Sequence, residues 1–338
     1  MKSKTYCFVF TGEFGYELLN WQGRIRKFST LYPEARIICA SSEATRLLYY
    51  DFSEFIALDS SNAHTKGISD TYFLRHENFI RDNIRDVVTA HLRRKELKKF
   101  ISNFYPKSES DAFQFIFSDK LSFIGGFQFG ATRWAPRINF LRKRNFQEIY
   151  DRLPIEQNLY VKLAPSQAVE GIVKQKLTDI GVEFPFVAVQ SADRVAFLKK
   201  RRLETATSDL FQGILSQLPT VEISFTQSRE TDTQSMSLNS NKKYFCSTLE
   251  EQVAIVSLSS FCIFTSSGDY RSLHYVPSFC GKDNYSITSS SIISNSAIGL
   301  WNSQIFQFGG KIIPITAESL CFDEELKMAI LDFWKSRL

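Results

Sequence analysis

The feature that most constrains this chain is a rhythm: short apolar runs alternate with helical patterns from the first residues onward. Tyr6 to Phe10 is apolar and short enough for a buried strand. Thr11 to Arg24 follows, with Gly12 and Gly15 in its turn, and Leu18, Leu19, Trp21, Ile25 and Phe28 then recur at helical spacing. The spacing predicts strand, glycine-containing turn, then helix. Ala35 to Ala40 is the next short apolar run, with a helix expected from Ser41, and Phe55 to Leu58 is a third strand candidate. Strands alternating with helices imply a parallel sheet, and the loops at the carboxyl ends of parallel strands are where ligands bind.

The rhythm returns after an interruption. Residues 76–104 predict one long helix, with His91, Leu92, Leu97 and Ile101 on its apolar side and Arg81, Arg85, Lys95 and Lys99 on a basic face. A second basic cluster runs from Arg133 to Arg144. Residues 151–168 hold Pro154 and Pro165 with little periodicity, as a linker would. Pro165 and Ser166 open a helix that Gly181 closes. Strands are then expected at Phe184 to Gln190, Val221 to Phe225, Phe261 to Thr265 and Lys311 to Ile315. Thr248 caps a helix running to Leu258, with Glu251 at capping-box spacing. The last helix, Phe322 to Leu338, carries the stripe Leu326, Ile330, Leu331 and Trp334.

The bulk properties exclude several classes. At 338 residues the chain exceeds what one core usually serves. The expected division is a first domain over 1–160, a second over 161–320, and a terminal helix over 321–338 that could pack back on the first domain. No apolar run reaches the roughly 18–20 residues that span a bilayer. The basic-then-apolar start is too short for a signal peptide and runs into Gly12 and Glu13, so it is taken as the first strand of a cytoplasmic protein. Six cysteines form no C-x-x-C pair and lie mostly in apolar runs, as buried free thiols do. Four histidines in no cluster make a structural zinc unexpected. The motifs G-x-x-x-x-G-K-[ST] and G-x-G-x-x-G are absent, which removes support for an ATPase or a standard dinucleotide oxidoreductase. The net charge of +5 selects no partner by itself, and no nucleic-acid-binding motif is present.

Two loops in the second half carry chemistry. Arg194, Lys199, Lys200, Arg201 and Arg202 follow the strand ending at Gln190, and Ser266, Ser267 and Gly268 follow the strand ending at Thr265. A diphosphate needs cations, hydroxyls and backbone N–H groups in one concave place, which such loops supply. A solvated charge run and an ordinary strand-to-helix turn are the plain alternatives. The order of elements resembles the donor-binding domain of bacterial GT-B glycosyltransferases, especially heptosyltransferase-like and surface-polysaccharide types. Gly12 to Glu17 and Trp21 to Gly23 resemble the opening of several such proteins.

The resemblance implies an α/β chain of two Rossmann-like domains facing a central cleft. It implies a glycosyltransferase that moves a sugar from a nucleotide-sugar donor to a glycan or lipid-linked acceptor in surface-polysaccharide synthesis. Arg194, Lys200, Arg202, Ser266, Ser267, Gly268 and Arg271 would hold the donor phosphates, with Arg271 offsetting Asp269. The glycines after the first strand could cradle phosphate, but Glu13 and Glu17 would repel it, so this turn is assigned to the acceptor. There Glu13 is the candidate base, and Gly12 and Gly15 admit the substrate. Tyr16 and Trp21 could stack a sugar face, with aromatic core packing the favoured reading for Trp21. Glu17 could orient acceptor or aromatic neighbours, or else serve the helix N-terminus. With no Asp-x-Asp, no metal or other cofactor is expected. The basic helix and the Arg133 to Arg144 cluster could touch anionic lipid at the inner face of the cytoplasmic membrane, with a solvated helix face the favoured reading. The other readings are a non-catalytic sugar- or nucleotide-binding protein on the same scaffold, or a pyruvyl or phosphoribosyl transferase.

Overall fold

Tyr6 and Phe8 alternate with Cys7 and Val9 along the first strand, and that alternation sets both cores of the first sheet. In the computed structural model, β1 (Thr5–Val9) lies between β2 (Arg36–Ser41) and β4 (Gln114–Phe117), parallel to both. β3 (Glu54–Ala57) extends the sheet to the order β3-β2-β1-β4. The structure describes residues 4–11, 17–58, 83–118, 122–124, 127–129, 160–190, 217–224, 242–265, 276–288, 308–310, 312–316 and 324–336. The chain divides into two compact units, Met1–Tyr160 and Val161–Leu338.

Successive side chains on a strand point to opposite faces. Cys7 and Val9 join Ile38, Ala40, Ile56 and Phe117 in a core that includes Leu97 and Ile101 of the helix Asn83–Ser102. Tyr6 and Phe8 lie on the other face, where Phe28 of the helix Gln22–Leu31 meets them edge-on at 4.8 and 5.5 Å between ring centres. Phe129 comes from a small antiparallel hairpin, β5 (Ser122–Ile124) and β6 (Phe127–Phe129), and sits 5.1 Å from Phe8. Aromatic pairs of this kind contribute roughly 0.5–1.5 kcal/mol beyond the area they bury.

The long helix departs from expectation on one point. His91 and Leu92 are exposed, Leu92 by 53%, although both were assigned to the apolar side. At 3.6 residues per turn, five residues place Leu92 about 140° round from Leu97, so the two cannot share the face that meets the sheet. The basic face is partly packed: Lys98 Nζ lies 5.5 Å from the centre of the Phe115 ring.

The second unit is a six-stranded, wholly parallel sheet. Its strands are β7 (Val187–Gln190), β8 (Thr220–Ser224), β9 (Lys243–Phe245), β10 (Phe261–Thr265), β11 (Asn284–Thr288) and β12 (Ile312–Thr316). They lie in the order β12-β11-β10-β7-β8-β9. Counted from the start of this unit, that is 3-2-1-4-5-6 read from its far edge, the doubly wound arrangement.

The helix boundaries follow the signals that predicted them. Ser166 caps Gln167–Asp179 by accepting the Val169 N–H at 3.4 Å, and Gly181 follows it at φ 74°. Thr248 caps Leu249–Leu258 by accepting the Glu251 N–H at 3.2 Å, while the Glu251 carboxylate reaches one residue past the cap, to the Ser247 N–H at 2.6 Å. The segment after Ser41 is a 3-10 helix, Glu43–Tyr49, capped by Ser42 rather than Ser41. The last helix, Glu324–Lys335, sets Trp334 edge-on to Phe261 at 6.2 Å, so it packs on the sheet of its own unit. Among the described residues, no helix is long and apolar enough to cross a membrane.

Cys7, Cys39, Cys246, Cys262 and Cys280 are free and buried; Cys321 lies outside the described residues. Burial pushes these thiols up, that of Cys262 to about 12. Thiol reagents attack through the thiolate. Titration of the native protein should therefore leave all five unmodified, with full modification only after denaturation.

Candidate functional site

In each sheet the strand order reverses at one place, and at such a switch point the loops of two neighbouring strands part company and leave a crevice. In the first unit the reversal lies between β1 and β4. The chain leaves β1 through Phe10 and Thr11, and the Thr11 N–H is bonded to Ser118 Oγ at 2.8 Å, just past β4. The Ser118 N–H bonds back to the Val9 carbonyl at 3.0 Å. Thr11 and Ser118 are both buried, so the two strand ends are joined by polar contacts out of water. Gly12, Glu13, Gly15 and Tyr16 follow in the chain and lie outside the described residues.

Glu17 is where the described fold resumes. It opens a turn of π-helix, Glu17–Trp21, that runs directly into Gln22–Leu31. Its side chain is turned inward and is 2% exposed. Oε1 accepts hydroxyl bonds from Ser41, from Thr45 at 3.2 Å and from Tyr49 at 2.7 Å. Ser41 ends β2, and Thr45 and Tyr49 belong to the 3-10 helix that follows. A carboxylate taken this far from water needs such donors, because its burial without them costs several kcal/mol, roughly. This placement sets Glu17 Oε1 among three hydroxyls and away from solvent, where it ties the start of the helix to the segment after β2.

Trp21 takes the core-packing reading. Its ring is fully buried, with Phe8, Phe10 and Phe129 at 6.1, 5.9 and 6.1 Å between ring centres. No face remains on which a sugar could stack, so Trp21 leaves the acceptor-binding set and joins the core. The π-turn explains the split. It starts with Glu17 aimed at the hydroxyls after β2 and ends with Trp21 aimed at the aromatic core. Arg26 then ties the helix to the 3-10 segment and to Asp51 just past it. Arg26 takes Asp51 in a two-pronged pair at 2.6 and 2.8 Å, donates to the Leu48 carbonyl at 2.6 Å, and donates to Gln22 Oε1. Sequence reasoning missed Ser41, Thr45, Tyr49 and Ser118. The one available signal was the run of hydroxyl residues at the end of β2, which was read as a helix cap alone.

In the second unit the reversal lies between β7 and β10. Gln190, the last residue of β7, is the register partner of Phe264 in β10, one residue before Thr265. The two loops assigned to the donor phosphates are thus rooted side by side at the switch point. The capped helix Leu249–Leu258 begins just past β9, at the same edge of the parallel sheet. Arg194, Lys200, Arg202, Ser266, Ser267, Gly268 and Arg271 themselves lie outside the described residues. Among the described residues, no three His, Cys, Asp or Glu side chains gather as metal ligands.

No protein-family model matches the chain, and no curated protein matches it by sequence. Solved structures do. A family 9 glycosyl transferase from Veillonella parvula superposes over 100% of this chain and 98% of its own, with a TM-score of 0.53 and 10% identity. The chain has the fold of that protein. The E. coli ADP-heptose LPS heptosyltransferase II superposes over 99% of this chain and 98% of its own, with a TM-score of 0.50 and 10% identity. At such identity the shared property is the path of the backbone, a GT-B path, as the order of elements in the sequence implied.

The hydroxyl cluster has a measurable consequence. Burial, and then the charge of Glu17, push the Tyr49 hydroxyl well above its usual ionisation range. Its folded value exceeds the unfolded one, so its contribution to stability is complete below about pH 10 and is lost as pH rises towards the folded value. Spectroscopic titration of the native protein should show Tyr49 still protonated after exposed tyrosines have ionised. Tyr49→Phe should reduce by one the number of late-titrating tyrosines, and should lower stability by about 1–2 kcal/mol in denaturant melts, since Glu17 loses a donor.

Proposed function

We propose that this protein is a glycosyltransferase that takes a sugar from a nucleotide-sugar donor and passes it to a glycan or lipid-linked acceptor in bacterial surface-polysaccharide synthesis. The observation that carries this reading is the pairing of Gln190 with Phe264 at the switch point of a 3-2-1-4-5-6 sheet. It roots a cationic loop and a Ser-Ser-Gly loop beside each other, where a diphosphate would be bound. The full-length likeness to a heptosyltransferase named for ADP-heptose and LPS supports a nucleotide-sugar donor and a surface-glycan acceptor.

In this reading Arg194, Lys200, Arg202 and Arg271 neutralise the donor diphosphate. Ser266, Ser267 and Gly268 offer it hydroxyls and N–H groups. These groups do their work as the bond from the anomeric carbon to the phosphate oxygen breaks, because the negative charge of the departing nucleoside diphosphate then grows. Glu13 takes the proton of the acceptor hydroxyl, whose oxygen attacks the anomeric carbon from the opposite side, so configuration inverts. Gly12 and Gly15 leave room for the acceptor beside Glu13, and Tyr16 offers it an aromatic face. No metal is assigned to this chemistry. The enzyme would work in the cytoplasm, with Lys95 and Lys99, both exposed, facing anionic lipid where a lipid-linked acceptor would lie.

Thermal-shift screening with nucleoside diphosphates and their sugars tests the donor site. One nucleotide at a hundredfold excess over its Kd should add about 2.7 kcal/mol of stability, and Arg194→Ala should remove the effect. No response to any nucleotide would sink the donor reading, and binding with no turnover of any nucleotide sugar would leave a binding protein. Glu13→Gln should keep the nucleotide-induced shift and lower transfer by about 10²- to 10⁴-fold. Full transfer by that variant would remove Glu13 from the role.

A further inference from the structure

Among the described residues, three carboxamides are wholly shut off from water: Gln22, Gln252 and Asn284. Two of them are used inside the protein. Gln22 donates to the Leu18 carbonyl at 2.8 Å and accepts from Arg26. Asn284 accepts the Phe264 N–H at 3.2 Å. Gln252 differs: its Nε2 and its Oε1 are both buried, and neither has a hydrogen-bond partner among the described residues. Nearly all buried polar groups in folded proteins are bonded, and one that is not calls for a reason.

The place of Gln252 supplies one. It is the fourth residue of the helix Leu249–Leu258 and lies on the stripe Leu249, Gln252, Val253 and Val256, all fully buried, that the helix turns to its sheet. Side chains on a helix lean towards its N-terminus. The carboxamide is therefore aimed at the helix start, which stands at the carboxyl edge of the sheet just past β9. The first amides of a helix also lack partners within it. β9 is two strand spacings from β7, about 10 Å. In a doubly wound sheet the nucleoside lies over the strands on that side, because its ribose is held by a residue well past the phosphate turn. The acids at the helix start are engaged elsewhere: Glu250 accepts the Ser166 N–H at 2.9 Å, and Glu251 takes Ser247 at 2.6 Å and Lys176 at 3.4 Å. Two carboxylates at this point disfavour a phosphate, so the group that meets Gln252 is neutral.

We infer that Gln252 is a specificity-determining residue of the proposed donor site, its carboxamide pairing with a nucleobase edge that presents one hydrogen-bond donor and one acceptor. The inference rests on the nucleotide-sugar reading. A carboxamide offers one of each side by side, as it does to adenine in nucleic-acid recognition. The buried amide has no water to surrender, so a matching base gains both bonds, while a mismatched base leaves polar groups unpaired. Sites built this way discriminate far more strongly than apolar pockets do. The base displaces the cover that the amide has in the free chain.

The test measures Kd for ADP, GDP, CDP, UDP and inorganic pyrophosphate, with the full chain and with Gln252→Met. The parent should prefer one nucleoside diphosphate. The variant should bind that one about 10- to 100-fold more weakly, bind pyrophosphate within about twofold of the parent, and lose most of the preference between bases. Equal discrimination by parent and variant would overturn the inference and leave the donor reading standing. A parent that binds no nucleoside diphosphate better than pyrophosphate would bring both down together. Melting without nucleotide gives an independent readout. Gln252→Met removes an unpaired buried amide at similar volume, so it should melt about 2–4 °C higher than the parent. A lower melting temperature would show the amide to be bonded within the free protein, and would also overturn the inference. Gln252→Leu carries the same comparisons should the Met variant not fold.

Discussion

Everything that bears on function here depends on the parallel pairing of strands. Parallel neighbours need a crossover between them, and crossovers of one hand carry the chain steadily towards one edge until it returns to start again beside the first strand. The return makes a switch point, and all the loops that leave carboxyl ends share one edge of the sheet. In the second unit this happens between β7 and β10, and in the first between β1 and β4. The sites assigned to donor and acceptor are each rooted at the place where backbone topology leaves space for a ligand.

Around the first switch point, polar groups do what is usually left to apolar packing. Glu17 and Arg26 are both nearly inaccessible to water, and both aim at the segment from Ser41 to Asp51. Removing one partner of such a contact while leaving the other buried costs about 1–3 kcal/mol. The arrangement is thus sensitive to geometry in a way that a set of interchangeable leucines is not. The opposite, amino end of the same sheet has its own polar tie, where Arg36 pairs with both Glu54 and Glu109 and Tyr105 donates to Glu54. Between the two lie the apolar layers, aromatic on one face of β1 and mostly aliphatic on the other. The helix Gln22–Leu31 is held by Phe28 in the core and by Arg26 at its border.

Much of the fold was legible because the elements carry local signals. The caps at Ser166 and Thr248, the stop at Gly181 and the short apolar runs of β1, β2, β7 and β10 each depend on residues close in sequence. β9 and β11 were missed for the opposite reason. Lys243–Phe245 is short and follows a polar stretch, and β11 begins with Asn284, which alone suggests a turn. In the structure Asn284 is buried and its Oδ1 accepts the Phe264 N–H at 3.2 Å, a partner twenty residues away that no local pattern reveals. The π-turn was invisible too, since the residues that stabilise it lie on β2, on the 3-10 helix and in the aromatic core.

The sequence by itself determined the class of the protein: two runs of alternating strands and helices, with cations and small hydroxyl residues after particular strands. Periodicity and capping are local, and so they survive reading in one dimension. Tertiary structure alone decided that Glu17 is turned inward. Nothing local separates a carboxylate left in solvent from one that holds the scaffold. The difference lies in Ser41, Thr45 and Tyr49, which parallel pairing of β1 with β2 brings to the same edge. Trp21 was decided in the same way: an indole is equally suited to a sugar or to a core, and here Phe8, Phe10 and Phe129 surround it.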